Sequence, residues 1–253
     1  MKKVVILGAG NVATHLLRAF QASPDIEVIQ MYNHKAEHLQ PFQEQLATTS
    51  DLSRLAKADF YIIALKDDAI KEVVKHMPKT EGIVMHTSGG KSMKVLSKFQ
   101  HYGVFYPLQT FSKLREINFK EVPLCLEANA PTTLLHMEAL ARTISENIYE
   151  IDSEQRKALH VAAVFANNFT NHLYGIASDI CARNGVEFEI LRPLIKETAA
   201  KVEVLSPPEA QTGPALRRDK QTIKAHLRLL KRDQKKIYKR ITSSIKKFHG
   251  KKL

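Results

Sequence analysis

Cysteine is scarce in this sequence: Cys125 and Cys181 stand far apart and lack metal-ligand spacing. That excludes a disulfide scaffold, gives no reason to expect a metal, and fits a reducing compartment. Long apolar runs are missing too, none approaching the ~18 residues of a membrane span. The apolar stretch after Met1-Lys2-Lys3 is too short for a signal peptide and leads straight into folded sequence, so the expected location is cytoplasmic. Acidic residues run short in one region only. Of a net charge of +12, the segment from Arg217 to Leu253 carries +13, with fifteen Lys and Arg against Asp219 and Asp233. The preceding residues sum to −1. Such a block reads first as the solvated face of a helix or as a tail. Only Tyr238 and Phe248 interrupt it with aromatic rings, so base stacking is poorly served and nucleic acid is not the expected partner.

What is present is 253 residues, 44% hydrophobic, enough for a sizeable core in one or two domains. Short β-branched runs alternate with helical spacings. "KKVVILGAG" reads as a strand and "NVATHLLRAFQAS" as a helix, followed by strand "IEVIQMY" and helical "AEHLQPFQEQL". "DLSRLAKA" suits a short helix, then strand "DFYIIAL", helix "DDAIKEVVKHM", strand "GIVMHTS" and helix "KSMKVLSKFQ". Strands "YGVFYPLQTF" and "VPLCLEA", helix "PTTLLHMEALARTISEN" and strand "IYEI" complete the pattern. This is an α/β pattern, a Rossmann-type doubly wound parallel sheet over residues 1–152. From Ser153 the pattern changes. One long helical stretch opens with a capping-box-like Ser153…Arg156, stops at Gly185, and is too apolar to stand alone in water. No convincing strand follows, which predicts an all-α domain over residues 153–253, containing one Pro/Gly-rich loop and no internal repeat.

Gly8-Ala9-Gly10-Asn11-Val12-Ala13 reads G-x-G-x-x-A between the first strand and the first helix. Gly8 permits the tight turn, Gly10 lets a pyrophosphate approach the backbone, and Ala13 lets the helix lie close on the strand. The helix N-terminus adds free N–H donors and the positive end of its dipole. Residues Gly8 to Val12 are therefore cofactor candidates, with a purely structural turn as the other reading. An acid to bond the ribose 2′-OH is missing from the end of the second strand. Asn33, His34 and Lys35 stand there instead, donors that suit a 2′-phosphate, so NADP is expected over NAD; ordinary exposed loop residues are the bland alternative. In "ALKDDAI", Leu65, Lys66 and Ile70 are further cofactor candidates, while Asp67 or Asp68 equally well caps the next helix. In "HTSGG", His86, Thr87 and Ser88 reach nicotinamide or substrate, or else form a strand-end turn on Gly89 and Gly90. Gln109 and Thr110 are candidate substrate contacts. On the long helix His160 and Asn167 share one face at 3.6 residues per turn, with Asn168 rotated by ~80°. Histidine suits the proton transfer that accompanies hydride transfer, although a self-satisfied core histidine is the other reading.

Taken together, "ILGAGNVA", "HTSG", "YPLQTFS", "ALHVAAVFANNF" and "TGPALRRD…T…HL" resemble one family along nearly the whole chain. It comprises Rossmann-like proteins with a C-terminal helical domain of unknown function, many described as NADP oxidoreductases. It is similar to pyrroline-5-carboxylate reductase, ketopantoate reductase, the deazaflavin-dependent NADP oxidoreductases and the 6-phosphogluconate-dehydrogenase-like group. The resemblance implies an NADP-dependent oxidoreductase acting on a small carbonyl or imine held between the domains, and a homodimer. It carries Gly8, Gly10 and Ala13 to pyrophosphate, Asn33 to Lys35 to the adenosine end, and Thr87 and Ser88 to the cleft. His160 and Asn168 form its helical wall, so His160, Asn168 and Ser88 are the catalytic candidates. Thr212, Gly213, Pro214, Arg217 and Asp219 match the family's loop, with Thr222 and His226 beyond it. Two positions depart from the pattern. Val164 stands four residues before Asn168, where β-hydroxyacid dehydrogenases place a catalytic lysine, and Arg218 stands where members commonly have glycine. The competing expectation is a non-catalytic sensor or scaffold dimer that binds NADP(H).

Overall fold

A computed structural model describes residues 1–250. The first half builds β1 (Lys2–Leu7), α1 (Asn11–Gln21), β2 (Ile26–Tyr32), β3 (Ala47–Thr49), β4 (Phe60–Ile63) and α2 (Asp67–His76). It continues with β5 (Ile83–His86), β6 (Tyr102–Pro107), β7 (Leu124–Ala128), α3 (Pro131–Arg142) and β8 (Ile148–Glu150). The strands form one sheet in the order β3-β2-β1-β4-β5-β6-β7-β8. It is the Rossmann arrangement read from the alternation, with a short edge strand, β3, that the alternation did not predict, and one departure from an all-parallel sheet. β7 runs antiparallel to β6. No crossover helix joins them, only a loop with a 3₁₀ turn at Phe119–Glu121, so the chain returns beside the strand it has just left.

Three expected helices are only 3₁₀ turns, Ala36–Phe42, Leu52–Arg54 and Met93–Leu96. The causes are local. Pro41 removes a donor from the first. The Asp51 and Ser92 side chains accept backbone N–H bonds from Ser53 and Lys94, which competes with helix continuation.

Alternation along β1 explains the two-faced core. Val4 and Ile6 join the cluster containing Leu16, Phe20, Phe105 and Met137, on the side of α1 and α3. Val5 and Leu7 point to the other face, with Ile63, Ile70, Val74 and Phe99. Register then sets the functional edge: Leu7 pairs with Tyr32 and Ile63, and Ile63 pairs with His86. The residues that follow, Gly8, Asn33, Ala64 and Thr87, therefore line one carboxyl edge of the sheet. Open α/β sheets bind ligands at that edge, where the strand order reverses.

The long helical stretch forms as α4 (Ser153–Ala163), a π-helical turn (Val164–Phe169) and α5 (Thr170–Arg183). Its capping box is made by Asp152 and Gln155 rather than by Ser153, because Ser153 Oγ is drawn to Glu127 instead. The π turn also removes the assumption of 3.6 residues per turn that placed His160 and Asn167 on one face. The chain divides into two compact units, Met1–Asn167 and Asn168–Leu253. The opening turns of the long helix thus cluster with the sheet, although the strand–helix pattern ends earlier.

In the second unit α6 (Arg192–Val204), α7 (Pro207–Ala210), α8 (Lys220–Leu229) and α9 (Arg232–His249) follow α5, and no strand occurs among its described residues. Asp179 of α5 accepts from Lys231 Nζ at 3.0 Å and Gln234 Nε2 at 2.7 Å, tying the start of α9 to α5. The basic segment is therefore largely the solvated face of α8 and α9; its last three residues lie outside the described ones. The turn before α8 is kept despite the missing glycine, with Arg218 held at φ 56°. Among the described residues, no helix is long and apolar enough to cross a membrane.

Candidate functional site

Gly8 follows β1 at φ 137°, and a Cβ there would lie 2.2 Å from the Ala64 carbonyl oxygen. Its N–H donates to Tyr32 O at 2.7 Å. Glycine is thus demanded by the protein's own packing at this position. Gly10 differs. It caps α1 at φ −85°, in a region open to any residue, and a Cβ there would meet nothing within 4 Å. The space beside it is open, and the first turn of α1 carries no side-chain cap and no acidic residue. Bare N–H groups facing open space fit an anionic ligand, the group that a dinucleotide pyrophosphate presents. Ala9 and Val12 pack on the core, and Asn11 Nδ2 donates to Phe111 O at 2.8 Å.

At the end of β2, Asn33 is buried, donating its N–H to Thr49 O and accepting the Lys35 N–H at 3.0 Å. Its side-chain oxygen shapes the turn that presents His34 and Lys35, both exposed. At the end of β4, Leu65 is half-buried and lies near Gly8, and the exposed Lys66 caps α2 through backbone geometry alone. Asp67 and Asp68 sit in the first turn of α2, where they complement the helix dipole without making a side-chain cap. Ile70, expected at the cofactor, is a correction: it is wholly buried among Leu7, Ile63 and Val74 and packs the core.

The richest chemistry follows β5. Thr87 N–H and Oγ1 both donate to Ile63 O, at 3.1 and 3.4 Å. Ser88 is buried, and its Oγ accepts the N–H groups of Gly90 and Lys91 at 3.1 and 3.0 Å, closing the loop on itself. A Cβ on Gly89 would lie 2.6 Å from His160 Nδ1 and 2.9 Å from Tyr106 Cζ, so glycine lets α4 and β6 close on this loop. Tyr106 Oη and His160 Nδ1 are hydrogen-bonded at 3.1 Å. Their rings meet edge-on at 74°. His160 is exposed, not a core histidine; Asn168 is also exposed, in the π turn.

Two histidines of this cluster therefore differ in kind. His86 is sealed, its Nδ1 accepts the Ser88 N–H at 3.2 Å, and its proton sits on Nε2, which lacks a full hydrogen bond. Burial, helped by the nearby Arg156 cation, pushes its pKa down to about 4. Burial also raises the Tyr106 phenol above its ordinary range.

Arg156, on the second turn of α4, is 0% exposed. Its guanidinium pairs with Glu127 of β7, donates from Nη2 to Lys91 O at 2.6 Å, and reaches Ser153 Oγ at 3.2 Å. It fastens the loop after β5 to α4 and β7. Sequence reasoning missed Arg156, Glu127 and the Tyr106 hydroxyl. The available signal was a lone acid, Glu127, in the apolar strand "LCLEA", which needs a partner; Arg156, set beside Lys157, carries no such mark. Among the described residues, no group of three or more His, Cys, Asp or Glu is placed to hold a metal ion.

Two family models match. Residues 3–87 match "NADP oxidoreductase coenzyme F420-dependent", and residues 122–245 match "Domain of unknown function (DUF2520)". A candidate NADP oxidoreductase of known structure from Bacteroides fragilis is 39% identical, over 98% of each chain, with a TM-score of 0.88. The chain belongs to this NADP oxidoreductase family with a C-terminal DUF2520 domain. Two more distant structures share the family's fold. The 1-pyrroline-5-carboxylate reductase of Streptococcus pyogenes is 16% identical, covering 99% of this chain and 97% of its own, at TM-score 0.68. An imine reductase from Myxococcus stipitatus, in complex with NADP+, is 13% identical, covering 97% and 93%, at TM-score 0.66. Among curated proteins, none matches the sequence.

Proposed function

We propose that the protein is an NADP(H)-dependent oxidoreductase acting on a small carbonyl or imine. The observation that carries this reading is the bare first turn of α1 beside Gly10, set on the same sheet edge as Lys35 and the Tyr106–His160 pair. Backbone N–H groups from Gly10 to Val12 would hold the pyrophosphate, and Lys35 with His34 would meet the 2′-phosphate. Lys35 has no acidic partner within 4 Å among the described residues, so its charge is available. The NADP+ bound by the imine reductase is in keeping with that preference. The loop Thr87–Gly90 would face the reacting end. Bound nicotinamide supplies or takes up a hydride; the protein supplies the rest.

A carbonyl or imine that gains a hydride must also gain a proton. His86 cannot serve near neutral pH, being sealed and held neutral. His160 is the solvent-reaching imidazole of the cluster, and its hydrogen bond to Tyr106 fixes the ring. It is the assigned proton donor, with Tyr106 positioning it. Ser88 shapes the loop through Oγ, and Asn168 is a further candidate for substrate contact. The helical unit is proposed to pair with a second copy. Its apolar side chains Ile190, Leu194, Val204 and Leu229 are exposed, and Ala215 is its one buried hydrophobic residue among those described.

Fluorescence titration with NADPH followed by a panel of ketones and cyclic imines tests the reading. Binding and turnover are expected, and His160→Ala should lower kcat by about 10²–10⁴-fold while the NADPH Kd stays within twofold. Unchanged kcat in that variant removes His160 from the chemistry. Binding without consumption of any substrate would instead identify a nucleotide sensor.

A further inference from the structure

The segment after β6 has no regular structure from Leu108 to Asn118, yet it is fastened across the first turns of α1. Asn11 Nδ2 donates to Phe111 O at 2.8 Å. The buried His15 donates from Nε2 to Ser112 O at 2.9 Å, and the His15 and Phe111 rings lie 5.1 Å apart. Phe111 in turn stacks on Phe119 at 6.1 Å. These anchors bring Lys113 Nζ to 3.0 Å from the carbonyl oxygen of Ala9, inside the G-x-G turn. The same ammonium lies 5.9 Å from the centroid of Phe42, in the turn after β2 that begins at Lys35. Leu114, the next residue, is 99% exposed, so the strap is anchored by Phe111 and Ile117 on either side of its tip, which pack on the core, and not at the tip itself.

The placement is electrostatically odd. A cation beside the N-terminus of α1 adds positive charge to the positive end of a dipole. It has no carboxylate within 4 Å among the described residues to offset it, and the Ala9 carbonyl uses one of its three donors. A lysine held in that position makes sense when an anion completes the site. We propose that Lys113, carried on the strap that follows β6, is a phosphate-binding residue for the dinucleotide, adding a second cation to Lys35. On binding, the ammonium exchanges the Ala9 carbonyl for a phosphate oxygen. The inference rests on the nucleotide-binding reading above.

Nothing in the sequence marks this lysine, which lies 104 positions from Ala9. The pyrophosphate and the 2′-phosphate offer the same chemistry, and two ligands tell them apart. Isothermal titration with NADPH and NADH would be run on the wild type, Lys113→Met and Lys113→Arg, each checked for unchanged nucleotide-free Tm. Lys113→Met should weaken NADPH about tenfold, the scale of one charge-assisted hydrogen bond. Lys113→Arg should stay within about threefold of the wild type, since it keeps the charge but not the shape of the donor. A matching loss with NADH assigns the pyrophosphate, and a loss confined to NADPH assigns the 2′-phosphate. Either result supports the proposal. A Lys113→Met protein that binds NADPH within twofold of the wild type overturns it and leaves the oxidoreductase reading standing. Failure of the wild type to bind either nucleotide sinks both.

Discussion

Arg156→Met is the perturbation whose consequences the structure states most fully. The methionine fills much of the same space but removes the guanidinium. Lost with it are the ion pair to Glu127, the bond to Lys91 O and the contact with Ser153 Oγ. Glu127, its side chain only 12% exposed, keeps its carboxylate with Ser153 Oγ as the remaining partner at 2.9 and 2.8 Å. Removing one member of a buried pair costs about 3–5 kcal/mol, because the other charge is left in a medium that solvates it poorly. At roughly 2–4 °C per kcal/mol for a chain of this size, Tm should fall by about 6–20 °C. The double variant Arg156→Met/Glu127→Leu removes both charges and should recover most of the loss, since an apolar replacement of a buried pair is close to neutral. Calorimetry and urea unfolding of both proteins decide it. A single variant within about 1 kcal/mol of the wild type, or a double variant no better than the single, refutes the reasoning that this pair is a desolvated, mutually dependent unit.

Three further outcomes rest on the same structure. His86 is held neutral in the fold, with its pKa at about 4. The unfolded chain therefore takes up a proton below pH 6.5 that the folded state refuses, and stability present above that pH is lost as pH falls toward 4. On the order of 3 kcal/mol is involved; His86→Asn, which keeps an acceptor for the Ser88 N–H, should flatten the slope in denaturant melts across that window, and an unchanged slope would acquit His86. Arg218 sits at φ 56°, so Arg218→Gly should exceed Arg218→Ala in stability by about 1 kcal/mol, and equal midpoints in urea would show the turn is not strained. Lys35→Asp should invert the NADPH/NADH preference in Kd, and an unaltered ratio would exclude Lys35 from the 2′-phosphate site.

Much of the sheet was legible because strand alternation and the G-x-G turn are local signals. Val4 to Leu7 announce a strand buried on both faces, and Gly8 announces the tight turn that packs against Ala64. The misreadings share a cause. Three helical spacings yielded 3₁₀ turns because a proline or a neighbouring side chain took up backbone groups, which periodicity does not weigh. Ile70 has the right position in sequence for a nucleotide contact, but the first turn of α2 rotates it into the core.

The sequence by itself determined seven of the sheet's eight strands, all but β3, together with the G-x-G turn, the missing acid after β2 and the concentration of charge beyond Arg217. Each of these depends on residues within a helical turn or a strand's length of one another. Only the tertiary structure decided that Tyr106 meets His160 across 54 positions, that Arg156 meets Glu127 across 29, and that Lys113 meets Ala9 across 104. Such pairs arise from strand order and from the direction of β7. Those are settled by burying both faces of the sheet at once, and no short window of sequence contains them.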